Sequence, residues 1–568
     1  MGGDSSFAGV GNRYPSRRSV VYGTQGMVCT SQTLAAQAGL DVLKKGGNAI
    51  DAAIATAISL TVLEPPSNGI GSDLFALVWY RGRLYGLNGS GPAPLRLTRE
   101  AVVQKISQSQ ERHNDAQRNS LHCNKEGNDG TVHNLAASPM PDKGWETVTV
   151  PGAPASWKAL HERFGVSNFK ELFDAAIRYA EEGFPLQPIC SHLWNKNAKK
   201  VAALEDDPIY RPLLDTFFRG KQFGPGDLVR IPEMGKTLRE LAESGCASFY
   251  HGNIAREMIN FSNATGGYFT EDDLRMYQPE WVEPILLQYR GYDVCEIPPN
   301  GHGLVVLMTL NILNHLAFSG KEDPATVHKQ IEAMKAGFTD GKAYIADPRY
   351  MKADIRYFLS ENYGKKRAAE IGEKAALPRP VDLNCGGTVY LCTADREGNM
   401  VSLIQSHFQN FGSKLCVPGT GILLNNRGNN FSLDPNHDNC LAPGKKPYHT
   451  IIPGFLMKEG EAVGPFGVMG AFMQPQGQVQ VVNNLIDFAL NPQEALDAPR
   501  WQWTGGRNVE VEATLDAEIV AGLKERGHTV SVLEDFTSFG RGQIILRQAD
   551  GVYAAATEPR ADGVVAAW

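Results

Sequence analysis

The sequence predicts an α+β protein in which helical layers pack on sheet layers, and two observations carry that expectation. Ahead of Thr388 lie helical segments that are apolar on nearly every side, and after it strands and turns dominate. The chain is 568 residues long with 42% apolar content, enough for a large core, and it shows no internal repeats.

From Gln32 to Lys45 the spacing of Leu34, Ala38, Leu40 and Leu43 predicts a helix that stops at Gly46-Gly47. Asn48 is placed to cap the next helix, AIDAAIATAISLTVLE, whose composition predicts burial between layers; Pro65-Pro66 end it. The Gly-rich NGIGSD then leads to a strand LFALVWY, the turn Arg81-Gly82 and a return strand near Leu84 to Leu87. Residues 104–144 are polar and aperiodic and are expected to form a surface insertion. Helical patterns resume at Ala155–Arg163, Phe169–Glu182 and Ala325–Ala346. The stretch from Lys365-Lys366-Arg367 through Pro378 and Pro380 to Gly387 is expected to be an exposed connector. Beyond it come TVYLCTAD, MVSLIQS, GILLNN, HTIIPGFLMK, a Gly464–Gly470 segment, the helix QVQVVNNLIDFAL, and the alternating HTVSVL, QIILRQ and VYAAAT.

Composition narrows the function classes. Lys+Arg 55 against Asp+Glu 62 gives a net charge of -7, with no basic stripe interleaved with aromatics, so nucleic acid is not an expected partner. The nine cysteines are irregularly spaced without a CxxC, which indicates neither a zinc cluster nor a disulfide framework and fits reduced thiols in the cytoplasm. The first 25 residues lack an apolar core and read as a disordered lead-in, although Met1-Gly2 with Ser6 formally fits the myristoylation pattern. No run reaches the ~18 apolar residues that a membrane span needs.

The chemistry-bearing feature is Thr388, which follows Gly386-Gly387 and opens a hairpin. If the chain cuts itself before Thr388, the freed α-amine, with a pKa of about 7.7–8.0, can take the proton of the otherwise weak hydroxyl nucleophile. The alternative is that Thr388 only starts a half-buried strand. Cys385 reads either as a second nucleophile or as a small loop residue.

The surrounding motifs resemble the γ-glutamyltransferases of the N-terminal-nucleophile hydrolase superfamily. The resemblance runs from about Gly26 to the C-terminus and is carried by GMVCTSQTLAAQAGLDVLKKGGNAIDAAIATAISLTVLEP, LRELAESGCASFYHGNIAREM, GYDVCEIPPNGHG, GGTVYLCTADREGNMVSLIQS, GILLNNRGNNFS, PGKKPYHTIIP and NPQEALDAPRWQW. It implies a four-layer αββα sandwich in a single domain, 26–568, made as an inactive precursor. Self-cleavage between Gly387 and Thr388 would give fragments 1–387 and 388–568, which stay associated. It implies attack on γ-glutamyl amides of the glutathione type, with water or an amine as acceptor and without metal or organic cofactor. Two alternatives stay open, a relative acting on other acyl amides such as glutaryl amides, and a non-catalytic protein that keeps the fold.

By the same resemblance Thr388 is the nucleophile, Ser406 matches a threonine that hydrogen-bonds it, and Gly470-Ala471 matches a Gly-Gly pair whose N–H groups form an oxyanion hole. The substrate contacts depart from the family. Ser90 stands near the position of a carboxylate-binding Arg, Asn430 replaces an acidic residue for the α-amine, Arg427 replaces a Gln, and His449-Thr450 replace paired serines. Arg427 either binds a carboxylate or pairs with an acid. His449 invites a triad with Asp434 or Asp438 that no spacing supports, so a supporting role is expected. Asp340 and Asp347 are expected to be capping and surface charges.

Overall fold

The computed structural model describes residues 18–108, 139–379, 383 and 386–568. Two seven-stranded sheets stack face to face, and their fourteen strands are numbered in chain order. The first four are β1 (Val21–Gly23), β2 (Gly26–Thr30), β3 (Asp73–Tyr80) and β4 (Arg83–Gly89). A largely helical stretch then separates them from β5 (Glu280–Val282), β6 (Ile285–Tyr289) and β7 (Tyr292–Glu296). The remaining strands are β8 (Val389–Asp395), β9 (Met400–Ser406), β10 (Gly454–Lys458), β11 (Glu461–Met469), β12 (Arg541–Arg547), β13 (Tyr553–Thr557) and β14 (Val564–Ala567).

One sheet has the order β14-β2-β8-β9-β3-β4-β5 and the other β1-β13-β12-β11-β10-β7-β6, with antiparallel pairing throughout both. Phe75, Tyr390 and Ile404 from the first meet Phe455, Met469 and Ile545 from the second in a buried layer. Helices α1 (Thr33–Lys44) and α2 (Ala49–Leu63) cover the outer face of the first sheet. Helices α3 (Gly303–Leu313), α4 (Pro324–Tyr344) and α5 (Met473–Ile486) cover the second. The architecture is the αββα sandwich of the N-terminal-nucleophile hydrolases.

The all-round apolar character of α2 has the expected consequence, since every residue from Ala49 to Leu63 is buried. Each large side chain such as Ile54 or Ile58 contributes about 1.5–3 kcal/mol when taken out of water. Asn48 caps the helix through the backbone N–H groups of Ile50 and Asp51, while the Asp51 side chain accepts from the Asn48 N–H.

Four sequence expectations change. Part of the 1–25 lead-in is ordered, because Val21–Gly23 pairs with β13 at a sheet edge; residues 1–17 lie outside the described residues. Residues 104–108 end a helix over 99–108, and the rest of the expected insertion falls mainly on 109–138, outside the described residues. Lys365–Arg367 lies in the helix Glu361–Ala369 rather than in a connector. Helix α5 starts at Met473, ahead of Gly477, because Pro475 sits in the first turn, where no N–H donor is needed.

Candidate active site

Strand register builds the site. Val389 pairs with Gln405, which sets Thr388 opposite Ser406, and Ser406 pairs with Asp73. Antiparallel partners share a face, so Thr388, Ser406 and Asp73 form a row on the inter-sheet side, continuing the face of Tyr390, Ile404 and Phe75. All three are buried.

In the uncut chain the Thr388 hydroxyl lies 2.7 Å from the Gly387 carbonyl oxygen and 3.1 Å from Ser406 Oγ. The Ser406 hydroxyl donates to the same carbonyl at 2.8 Å and accepts from the Phe408 N–H at 2.8 Å. With Ser406 donating to the carbonyl, its oxygen is left to accept from Thr388, so one serine both donates to the Gly387 carbonyl and accepts from the Thr388 hydroxyl. Gln474, in the first turn of α5, brings Nε2 to 3.5 Å from Thr388 Oγ1 and is held by the Ile452 N–H on its Oε1 at 3.0 Å.

The glycines are there for space. A side chain at Gly387 would meet Asn410 Oδ1 at 2.7 Å, Ser67 Cα at 3.0 Å and the Pro66 oxygen at 3.2 Å, and one at Gly386 would meet the Phe408 oxygen at 2.7 Å and Ala471 Cβ at 3.2 Å. Close approach of backbones, rather than a left-handed φ, therefore demands glycine here. Gly470-Ala471 form the turn from β11 into α5, with φ of 135° and 51°. A left-handed alanine costs roughly 1–2 kcal/mol, which the surrounding packing holds in place.

Behind the row lies a buried polar cluster. Arg427 donates through Nη1 to Thr450 Oγ1 at 2.7 Å, lies 3.5 Å through Nε from Asp73 Oδ2, and stacks over Phe408 at 4.7 Å. Its Nε and Nη2 find no hydrogen-bond acceptor among the described residues. The sequence left two roles open for Arg427; pairing with an acid is realised through Nε, while Nη2 is left without an acceptor among the described residues. Burial pushes the Asp73 carboxyl up to about 7, with Arg427 and the Gly91 N–H holding it back, and lowers Arg427 to about 10. His449 stacks on Phe75, and its Nε2 is 2.9 Å from Asp73 Oδ2. Burial, with Arg427 next, keeps its imidazole neutral, so Nε2–H donates to Asp73 and Nδ1 faces the Ile451 N–H. Its acidic partner is thus Asp73, more than 350 positions away in sequence, rather than Asp434 or Asp438.

The other expected residues are placed as follows. Ser90 donates to Asn88 Oδ1 at 2.6 Å and accepts from Asn300 Nδ2 at 3.3 Å, which ties its hydroxyl into that network. Asn430 ends the turn Arg427–Asn430, and its Nδ2 is buried without a partner among the described residues. It lines a cleft of about 1420 Å³ together with Gln409, Phe431, Tyr448 and the connector residues Pro378 and Arg379. Asp340 and Asp347 are buried, contrary to expectation, because Asp340 pairs with Tyr363 and Arg367, and Asp347 with Arg349 and the Lys446 N–H. Cys385 lies outside the described residues. Sequence reasoning missed Asp73 and Gln474. Asp73 was legible as the polar start of an apolar strand, but nothing in Gln474's surroundings set it apart from the neighbouring glutamines.

Residues 35–568 match the family model described as gamma-glutamyltranspeptidase. The chain is 34% identical over 559 residues to the glutathione hydrolase-like YwrD proenzyme of Bacillus subtilis, covering 96% of this chain and 98% of that one. It is 32% identical over 559 residues to the oxamate amidohydrolase proenzyme of Klebsiella pneumoniae, covering 96% and 99%. A crystal structure of cephalosporin acylase from Bacillus halodurans superposes with a TM-score of 0.91 at 52% identity, covering 99% of both chains. With the threonine at the head of a central strand, the serine opposite it and the match across nearly the whole chain, this protein belongs to the gamma-glutamyltranspeptidase family of enzymes.

Proposed function

We propose that the chain is a self-processing threonine amidohydrolase and acyltransferase that cleaves γ-glutamyl amide bonds of the glutathione or γ-glutamyl-peptide type. The observation that carries this reading is the Thr388–Ser406–Gly387 constellation, in which nucleophile, proton acceptor and polarised carbonyl already touch. In the precursor, Thr388 Oγ1 adds to the Gly387 carbonyl carbon while its proton passes to Ser406, whose own hydroxyl proton goes to the carbonyl oxygen and from there to the departing Thr388 nitrogen. The C–N bond then breaks and the nitrogen leaves protonated, giving an ester that water hydrolyses. The products are a Gly387 carboxylate and a free Thr388 amine. Fragments 1–387 and 388–568 stay together because β8 and β9 of the second pair with β2 and β3 of the first.

In the mature enzyme the Thr388 amine takes the hydroxyl proton, and Oγ1 attacks the substrate carbonyl to form an acyl-enzyme, which water or an amine resolves. The backbone N–H groups of Gly470 and Ala471 are assigned to the oxyanion. Arg427, Asn430, His449, Thr450 and Ser90 are assigned to the acyl half. Arg427 Nη2, without a partner among the described residues, supports a carboxylate near it.

A second reading, a glutaryl-type acyl amide as donor, is favoured by Asn430, which cannot offer an ammonium the charge of a carboxylate, and by the 52% identity to a cephalosporin acylase. Two fragments of the stated lengths on a denaturing gel, absent in Thr388→Ala, test the processing. Rates on γ-glutamyl and glutaryl anilides then decide the donor. A chain that stays whole and shows no amidase activity refutes the enzymatic reading.

A further inference from the structure

On the far side of the second sheet's helical layer, three buried side chains converge that the reaction does not use. His328 and Glu332 stand one turn apart on α4, so they share a face, and His528 approaches from the loop before the strand Thr529–Leu533. His328 Nδ1 and His528 Nε2 are 2.8 Å apart, His528 Nε2 lies 3.8 Å from Glu332 Oε1, and the three donor atoms all lie within 4.8 Å of one another. We propose that His328, Glu332 and His528 form a binding site for a divalent transition-metal ion of the zinc class.

The outer contacts orient the donors inward. His328 Nε2 is 2.9 Å from the Gly372 carbonyl, and by donating there it leaves the Nδ1 lone pair facing the centre. Glu332 Oε2 accepts from the Ala376 N–H at 3.1 Å, leaving Oε1 for a cation. His528 has no such outer contact: its Nε2–H donates to His328 Nδ1 at 2.8 Å, and its Nδ1, buried without a partner among the described residues, takes that proton when Nε2 ligates.

The dimensions fit after a small adjustment. Two nitrogens each about 2.05 Å from zinc at a tetrahedral angle are about 3.3 Å apart. The imidazoles therefore separate by about half an ångström, and the Glu332 carboxylate oxygen closes by about half an ångström on His528 and by up to about 1.5 Å on His328, from which it lies within 4.8 Å. Glu332 and Lys335 also line the large cleft, which provides a way in for the ion.

One cation stands in competition. Lys335 Nζ is 2.7 Å from Glu332 Oε1 and 3.2 Å from the Ala376 carbonyl, and Arg526 and Arg507 add positive charge nearby. A metal ion takes Oε1 and leaves Lys335 on the Ala376 carbonyl. This makes Lys335 a brake on the site, and its removal strengthens binding.

The test is calorimetric titration of chelator-stripped protein with Zn²⁺, together with the visible spectrum of Co²⁺ added in its place. The expected result is one ion per chain, with Co²⁺ bands of a four-coordinate nitrogen–oxygen site. Affinity should be at least about tenfold weaker in His528→Ala and Glu332→Gln, and at least about tenfold tighter in Lys335→Met. Absence of stoichiometric binding in both wild type and Lys335→Met, binding unchanged by His528→Ala, or no tightening in Lys335→Met overturns the assignment.

Discussion

Replacing Ser406 with alanine removes three contacts at once. Gly387 loses the 2.8 Å donor on its carbonyl, Thr388 loses its proton acceptor at 3.1 Å, and the Phe408 N–H is left without the oxygen it bonds at 2.8 Å. The carbonyl donor matters most for rate, because it lies where negative charge grows as Thr388 Oγ1 adds to Gly387. Loss of one such donor in a site shielded from water costs about 2.7–4 kcal/mol of barrier, or about 10²–10³ in rate. The stability cost is smaller, about 1–3 kcal/mol for a buried group left unsatisfied, against a typical total of about 5–15 kcal/mol. Ser406→Ala should therefore fold, with an unchanged circular dichroism spectrum, and accumulate as uncut chain. Ser406→Thr, which keeps the hydroxyl, should process at a rate close to wild type. The assay is a time course of fragment appearance on denaturing gels after refolding or synthesis in vitro. Cleavage of Ser406→Ala within about threefold of wild type would show that the hydroxyl does not assist the attack.

Other outcomes follow from single contacts. Gly387→Ala should slow processing by about tenfold, because the new methyl group meets the backbone of Ser67 and Pro66 at 3.0–3.2 Å and costs about 1–3 kcal/mol; the same gel measures it. Ala471→Gly should raise stability by about 0.5–1 kcal/mol in urea unfolding, since relief of a left-handed alanine exceeds the extra entropy of the unfolded glycine; a clear loss of stability contradicts the strain argument. Glu296 is fully buried, with neither oxygen hydrogen-bonded among the described residues, and burial alone pushes its carboxyl well above the ordinary range. A folded pKa raised in this way gives stability that is complete below about pH 4.5 and declines as pH rises toward the folded value, by up to about 1.4 kcal/mol per unit. Between pH 5 and pH 8, Glu296→Gln should thus lose less thermal stability than wild type, and parallel curves for the two proteins would contradict it.

Much of the fold was legible because local signals agreed with the tertiary outcome. The Asn48 cap, the apolar α2 and the Arg81-Gly82 turn are each decided within a few residues, and the structure keeps all three. Edge elements were less legible: β1 is three residues long and owes its existence to β13, more than 500 positions later. That Thr388 and Ser406 face one another was readable because a hairpin fixes their pairing. The Asp73–Arg427–His449 cluster was not, since Asp73 starts a strand while Arg427 and His449 lie in a turn and a loop more than 350 positions later, and only the tertiary fold brings them together. Asp340 and Asp347 were misread for a related reason, because the arginines and backbone groups that make their burial tolerable lie elsewhere on the chain or in the following turn.

The central claim is that Thr388 becomes an N-terminal nucleophile. The most direct measurement is mass spectrometry of the purified protein, quenched with acid during turnover of an acyl anilide. The expected product is a small fragment that begins at Thr388 and carries the acyl mass on that residue. A turning-over protein whose chain is uncut at Gly387, or an acyl group mapped to any other residue, would contradict it.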